Sequence, residues 1–178
     1  MNNFAGHETP GDLIELYKFD QRSKGEYARG FELSDLSEKS MLRTYSEDSL
    51  FLSSLVEFAQ ANYSGSHYAI WIADNPDLNS APVVVFGDEG GYHIVAENIK
   101  QLLVILSCDA EAMVSWDRVV YFKDPEDETS PWRGEFCDWL KKAFGIQPTD
   151  DADANLITEM AQTKHGENFK KWMKQFVG

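Results

Sequence analysis

Apolar residues recur along the chain with two different periods. After Ser46, the residues Leu52, Leu55, Val56 and Ala59 fall at i, i+3, i+4 and i+7, and Phe51 and Phe58 widen the stripe. With Ser46 as N-cap, Glu47 and Asp48 at the positive end of the helix dipole, and Asn62 and Gly65 as the stop, this spacing predicts one core-packing helix. Beyond Gly65 the period changes to two. Tyr68, Ile70 and Ile72 alternate with His67, Ala69 and Trp71, a β-branched and aromatic run that predicts a strand. Val83 to Phe86 are apolar on both sides, as in a central strand covered on both faces. Gly87-Asp88-Glu89-Gly90-Gly91 then reads as a hairpin turn, with Tyr92 to Val95 returning as the partner strand.

Helical spacing resumes at Glu97, with Ile99, Leu102, Leu103 and Leu106 on one face. Val119 to Phe122 form one more expected strand. Ser130-Pro131 opens a helix through Phe136, Trp139 and Leu140 that Gly145 closes. The last helical region is divided at Gly166 into a weaker segment (Leu156, Ile157, Met160) and a sharply amphipathic one (Phe169, Trp172, Met173, Phe176). Residues 1–30 read as a loosely structured arm with one short helix around Leu13 to Tyr17, followed by a brief edge strand at Phe31 and Leu33. Asn75-Pro76-Asp77 marks a loop. Strands clustered in mid-chain, helices before and after, and a hairpin in place of crossovers predict an α+β fold: one domain over 1–178 with a mainly antiparallel central sheet packed by flanking helices.

Charge narrows the set of partners. Sixteen Lys and Arg stand against 30 Asp and Glu, a net charge of −14. Such a surface repels phosphate backbones and anionic lipid heads, so neither nucleic acid nor a membrane is expected as partner. Cys108 and Cys137 lie in apolar helical patterns and read as reduced, buried thiols. With no basic and apolar leader at the start of the chain, they point to the cytoplasm.

Each chemical motif has a simpler explanation. Gly87, Gly90 and Gly91 resemble a phosphate loop, but Asp88 and Glu89 place negative charge inside it and it leads into a strand, so the turn is structural. His67 and His93, with Asp88 or Glu89, would form a zinc-compatible set if the two strands faced the same way, yet no local ligand pair supports it; no metal or other cofactor is expected. No Gly-x-Ser-x-Gly or Cys–His context marks a nucleophile, and in a chain with 30 carboxylates their pairing discriminates nothing. Trp116, in Ser115-Trp116-Asp117-Arg118, belongs to no periodic element and is a candidate exposed anchor.

The stretch Phe58-Ala59-Gln60-Ala61-Asn62-Tyr63-Ser64-Gly65-Ser66, then Tyr68-Ala69-Ile70-Trp71, Pro82 to Gly91 and Val95-Ala96-Glu97-Asn98, resembles the SUKH superfamily, named for fungal cell-wall synthesis regulators and their bacterial relatives. The resemblance covers residues 46–107, with a weaker echo at Phe136 to Phe144, and carries no functional residue over. It implies a compact α+β domain acting by protein binding: an immunity protein that neutralises a toxin, often a nuclease, or an interaction scaffold in cell-envelope regulation. A small-ligand or metal-binding domain at the glycine hairpin is the remaining alternative. Under the immunity reading the acidic loop Asp124, Glu126, Asp127 and Glu128, the run Asp150, Asp151 and Asp153, and Trp116 are the candidate interface toward a basic toxin. The oligomeric state stays open.

Overall fold

A computed structural model of the chain describes residues 7–35, 39–72 and 77–178. Helix α1 (Gly11–Ser23) begins just after Pro10 and buries Leu13, Leu16 and Phe19 before Lys24, at φ 56°, ends it. The stretch expected as a loose arm therefore contains 13 residues of helix, and Tyr27 and Ala28 beyond it are also core. Its apolar stripe continues to Phe19, which stacks on Trp139 with centroids 4.9 Å apart.

Five antiparallel strands follow in simple meander order: β1 (Glu32–Leu33), β2 (Leu55–Gln60), β3 (His67–Trp71), β4 (Val83–Phe86) and β5 (Tyr92–Ala96). The expected edge strand, the central β4 and the β4–β5 hairpin are all found. The expected helix from Ser46 is not. A short helix α2 (Ser40–Tyr45) ends just before Ser46, and only the short α3 (Ser49–Ser53) follows it, capped by Asp48, whose carboxylate accepts from Leu50 N at 2.8 Å and Phe51 N at 3.2 Å. Leu55, Val56, Phe58 and Ala59 are strand β2, paired to β1 and β3. Both faces of β2 are buried, so its apolar residues Leu55, Val56, Phe58 and Ala59 fall on both sides of the strand and mimic a helical stripe. The segment around Asn75-Pro76 lies outside the described residues.

Alternation along the sheet sorts its side chains into two cores. Val56, Tyr68, Ile70, Val83, Val85 and Val95 join α1, α4 (Ile99–Leu106) and α5 (Arg133–Phe144). Leu55, Ala69, Trp71, Val84, Phe86 and Ile94 join α2, α3 and the C-terminal half of α6 (Asp151–Met173). Full burial of each large apolar side chain contributes about 2 kcal/mol relative to exposure. Asn98, rather than Glu97, caps α4 by accepting from Gln101 N at 2.9 Å. Gly145, at φ 66°, closes α5 as expected.

Helix α6 runs unbroken for 23 residues through Gly166, so the expected division there is not found. Its buried stripe is Ala154, Thr158, Ala161, Phe169 and Met173, while Leu156 and Met160 are exposed. The small residues let it lie along β5, where Thr158 Oγ1 donates to Val95 O at 3.0 Å and Gln162 Nε2 to Ile94 O at 3.1 Å. A separate two-stranded ribbon, β6 (Glu111–Val114) with β7 (Val119–Phe122), packs Ala112, Val119 and Tyr121 onto the first core. The result is a single-domain α+β fold. Among the described residues, no helix is long and apolar enough to cross a membrane.

Candidate functional site

Two turns meet at one end of the sheet. The β4–β5 turn is closed by Gly87 N to Gly91 O at 2.9 Å and Gly90 N to Gly87 O at 3.1 Å. Gly90 and Gly91 hold φ of 102° and 85°, a region strained for side-chain-bearing residues. Against them lies the β6–β7 turn, Ser115–Arg118, closed by Ser115 N to Arg118 O at 2.9 Å. A Cβ on Gly91 would fall 2.2 Å from the Ser115 carbonyl oxygen, and one on Gly90 would fall 2.3 Å from the Trp116 ring. The glycines thus permit close approach: the indole rests on bare backbone.

Two side chains fix this contact. His93 Nε2 lies 2.7 Å from Ser115 O, and because a carbonyl only accepts, Nε2 carries the proton. Burial pushes this imidazole down from its ordinary pKa; the Ser115 bond and Asp117 oppose that shift and Lys170 adds to it. The Tyr45 hydroxyl, which burial pushes up to about 12, lies 2.7 Å from Gly87 O and 2.8 Å from Gly91 O. Asp88 ties the turn to the β2–β3 loop through Ser66 Oγ at 2.7 Å and Ser64 Oγ at 3.0 Å. Burial raises its pKa, but those hydroxyls outweigh it and hold the carboxyl below its usual range. Glu89 is exposed. Trp116, expected outside any periodic element, therefore sits in a hairpin turn, 77% exposed yet seated on Gly90.

The candidate acidic residues lie at the other end of the ribbon. Asp124 accepts from Glu126 N at 2.9 Å, and Asp127 pairs with Arg29 at 2.9 Å. Asp150 caps α6 through Asp153 N at 2.9 Å, and Asp151 accepts from Lys123 N at 3.1 Å. Lys123 thereby brings the loop and the start of α6 together. Four of the seven carboxylates, Asp124, Asp127, Asp150 and Asp151, serve local structure; Asp124 and Asp150 are nevertheless exposed, as are Glu126, Glu128 and Asp153. Behind them Asp109, buried at φ 57°, accepts from Arg29 N at 2.9 Å, Ser130 N at 2.9 Å, Ser130 Oγ at 2.5 Å and Lys123 Nζ at 2.9 Å. Burial would raise its pKa, but these donors hold it below the usual carboxylate range.

The expected pairing of His67 with His93 is not found. His67 lies opposite Phe86 and so on the second-core face, whereas His93 lies opposite Val85 on the first-core face. Strand β4 separates them, His67 Nδ1 is 2.7 Å from Gly65 O, and its Nε2 is 3.7 Å from the buried Glu57. Among the described residues no group of three or more His, Cys, Asp and Glu could hold a metal. Cys108 and Cys137 are free and buried, and burial raises both thiols, Cys108 to about 11. A cleft of about 490 Å³ opens between α1 and β1, with Asp20, Lys24, Glu26 and Glu32 on its walls and the Ser130 hydroxyl committed to Asp109.

Sequence reasoning missed Tyr45, Asn62, His93 in its tethering role, Asp109 and Asn155. Their partners lie 42, 50, 22, 21 and 34 positions away, and no local period records such distances. The adjacent glycines Gly90 and Gly91 were the one legible sign of close approach. No family model, curated protein or solved structure matches the chain.

Proposed function

We propose that this chain is a non-enzymatic protein-binding domain of the immunity type, which neutralises a basic toxin such as a nuclease by covering its cationic surface. One observation carries the reading: Trp116 is 77% exposed and at the same time held on Gly90 by the two tethered turns. Exposing a large apolar ring costs hydration free energy. Holding it rigid removes the entropy that a partner would otherwise have to take up on binding, and Trp is enriched at binding hot spots. The net charge of −14 adds the sign of the partner, because carboxylates occupy the positions that phosphates would take on a nucleic-acid-binding protein. The resemblance of residues 46–107 to the SUKH superfamily, whose bacterial members are often immunity proteins, agrees with this reading, under which the protein is cytoplasmic with its thiols reduced.

Coexpression with the product of the gene adjacent to its own tests the proposal. The wild-type chain restores growth against that product and forms a complex with it, and Trp116→Ala weakens the complex about tenfold or more, as for a hot-spot tryptophan. Absence of both protection and complex overturns the reading.

A further inference from the structure

The ribbon offers a face as well as a tip. Pairing sets Met113 opposite Val120 and Glu111 opposite Phe122, and these side chains project on the face opposite Ala112 and Tyr121, which are buried. Met113 is 59% exposed and Phe122 53%. Both ribbon edges are occupied. Asn62 Nδ2 donates to Ala112 O on β6 at 2.9 Å. On β7, Asn155 accepts from Tyr121 N at 2.8 Å and donates to Tyr121 O at 2.7 Å. A partner strand cannot add at those positions, so what is open is the outer face, four residues or about 13 Å long, running from Trp116 toward the acidic loop.

Charge selects the occupant. At the tip Asp117 stands beside the exposed Arg118, and on the face Glu111 accepts from Tyr63 N at 3.1 Å; the exposed Asp124, Glu126 and Glu128 make the far end acidic, and Lys123 there is committed to Asp109. Two copies of a chain of net charge −14 repel each other, and an anionic surface of any kind is repelled. Resting on the binding-domain reading above, we infer that the outer face of β6–β7 docks a cationic protein segment whose aromatic or aliphatic residues cover Met113, Val120 and Phe122 while its Lys and Arg meet the carboxylates of the acidic loop at the far end.

A phage-displayed library of random twelve-residue peptides, selected on the full chain, tests this. The selected peptides combine Lys or Arg with aromatic or aliphatic residues. Their affinity falls at least tenfold in the double variant Met113→Ser/Phe122→Ser and is unchanged in Leu156→Ser/Met160→Ser on α6. All four side chains are exposed, so near-ultraviolet circular dichroism and melting should match wild type and exclude unfolding. Failure to select any binder, acidic binders, binders indifferent to the ribbon variant, or a self-dimer by sedimentation that this variant dissociates would each overturn the proposal. The growth assay separates the two readings. Full protection by the ribbon variant removes the docking face but leaves the immunity function, whereas no protection by wild type with ribbon-dependent peptide binding does the reverse.

Discussion

Gly90 and His93 govern the position of one exposed indole by different means. At Gly90 the constraint is steric, since the space a Cβ would need is filled by the Trp116 ring and φ is 102°. Gly90→Ala combines backbone strain with overpacking and should cost about 2 kcal/mol, or about 4–8 °C in melting temperature. A calorimetric scan that leaves the melting temperature unmoved would show the indole is not seated there. At His93 the constraint is a hydrogen bond from a neutral, buried ring. An unfolded imidazole takes up its proton near pH 6.5 and the folded one only at lower pH. Between those values the unfolded state binds more protons, so this stabilisation is complete above about pH 6.5 and is lost as pH falls. His93→Gln keeps a donor toward Ser115 O without titrating. Its melting temperature should therefore drop less than that of wild type between about pH 7.5 and about pH 5.5. His165, also shifted down by burial, is present in both proteins and cancels in the difference.

Among the elements, the β6–β7 ribbon depends most on remote side chains. Two strands alone are marginally stable in water, and here Asn62 and Asn155 satisfy the edges that no third strand covers. Asn155→Ala leaves the backbone N–H and C=O of the buried Tyr121 without partners and should cost about 2 kcal/mol. Native-state hydrogen exchange should show the Tyr121 amide losing protection while amides of β3 and β4 keep theirs. Equal loss across the sheet would mean that the ribbon and the body unfold as one. β6 itself escaped sequence reading because it is four residues long and exposes Met113 where a core residue would be expected. β2 differs from its expected helix for the opposite reason: a strand covered on both faces carries apolar residues on both sides, so Leu55, Val56 and Ala59, with Leu52 from the preceding α3, fit a helical period by coincidence of spacing. In α6 the signal was displaced, because the helix buries Ala154, Thr158 and Ala161 against β5 and exposes Leu156 and Met160.

For the whole molecule the dominant quantity is the net charge of −14. Its self-repulsion opposes compaction, so added salt should raise the melting temperature over the range where the Debye length shrinks from about 30 Å to about 8 Å. A fall over that range would mean that ion pairs such as Asp127 with Arg29 outweigh the repulsion. The same charge speeds encounter with a cationic partner. Glu126→Gln with Glu128→Gln should accordingly slow association several-fold at low salt and change dissociation little, measured by stopped-flow mixing with the partner found by coexpression. By itself the sequence determined the α+β class, the strands β3, β4 and β5 with the β4–β5 hairpin, α4, α5, the glycine turn and the sign of the charge. All of these depend on composition or on periods of two and 3.6 read within a dozen residues. Only the tertiary structure decided that β2 is a strand, that His67 and His93 face opposite sides of the sheet, that Trp116 lies on Gly90, and that the acidic loop and the indole occupy opposite ends of one ribbon. Each depends on which surfaces the chain presses together across tens of residues, and local periodicity does not encode that pairing.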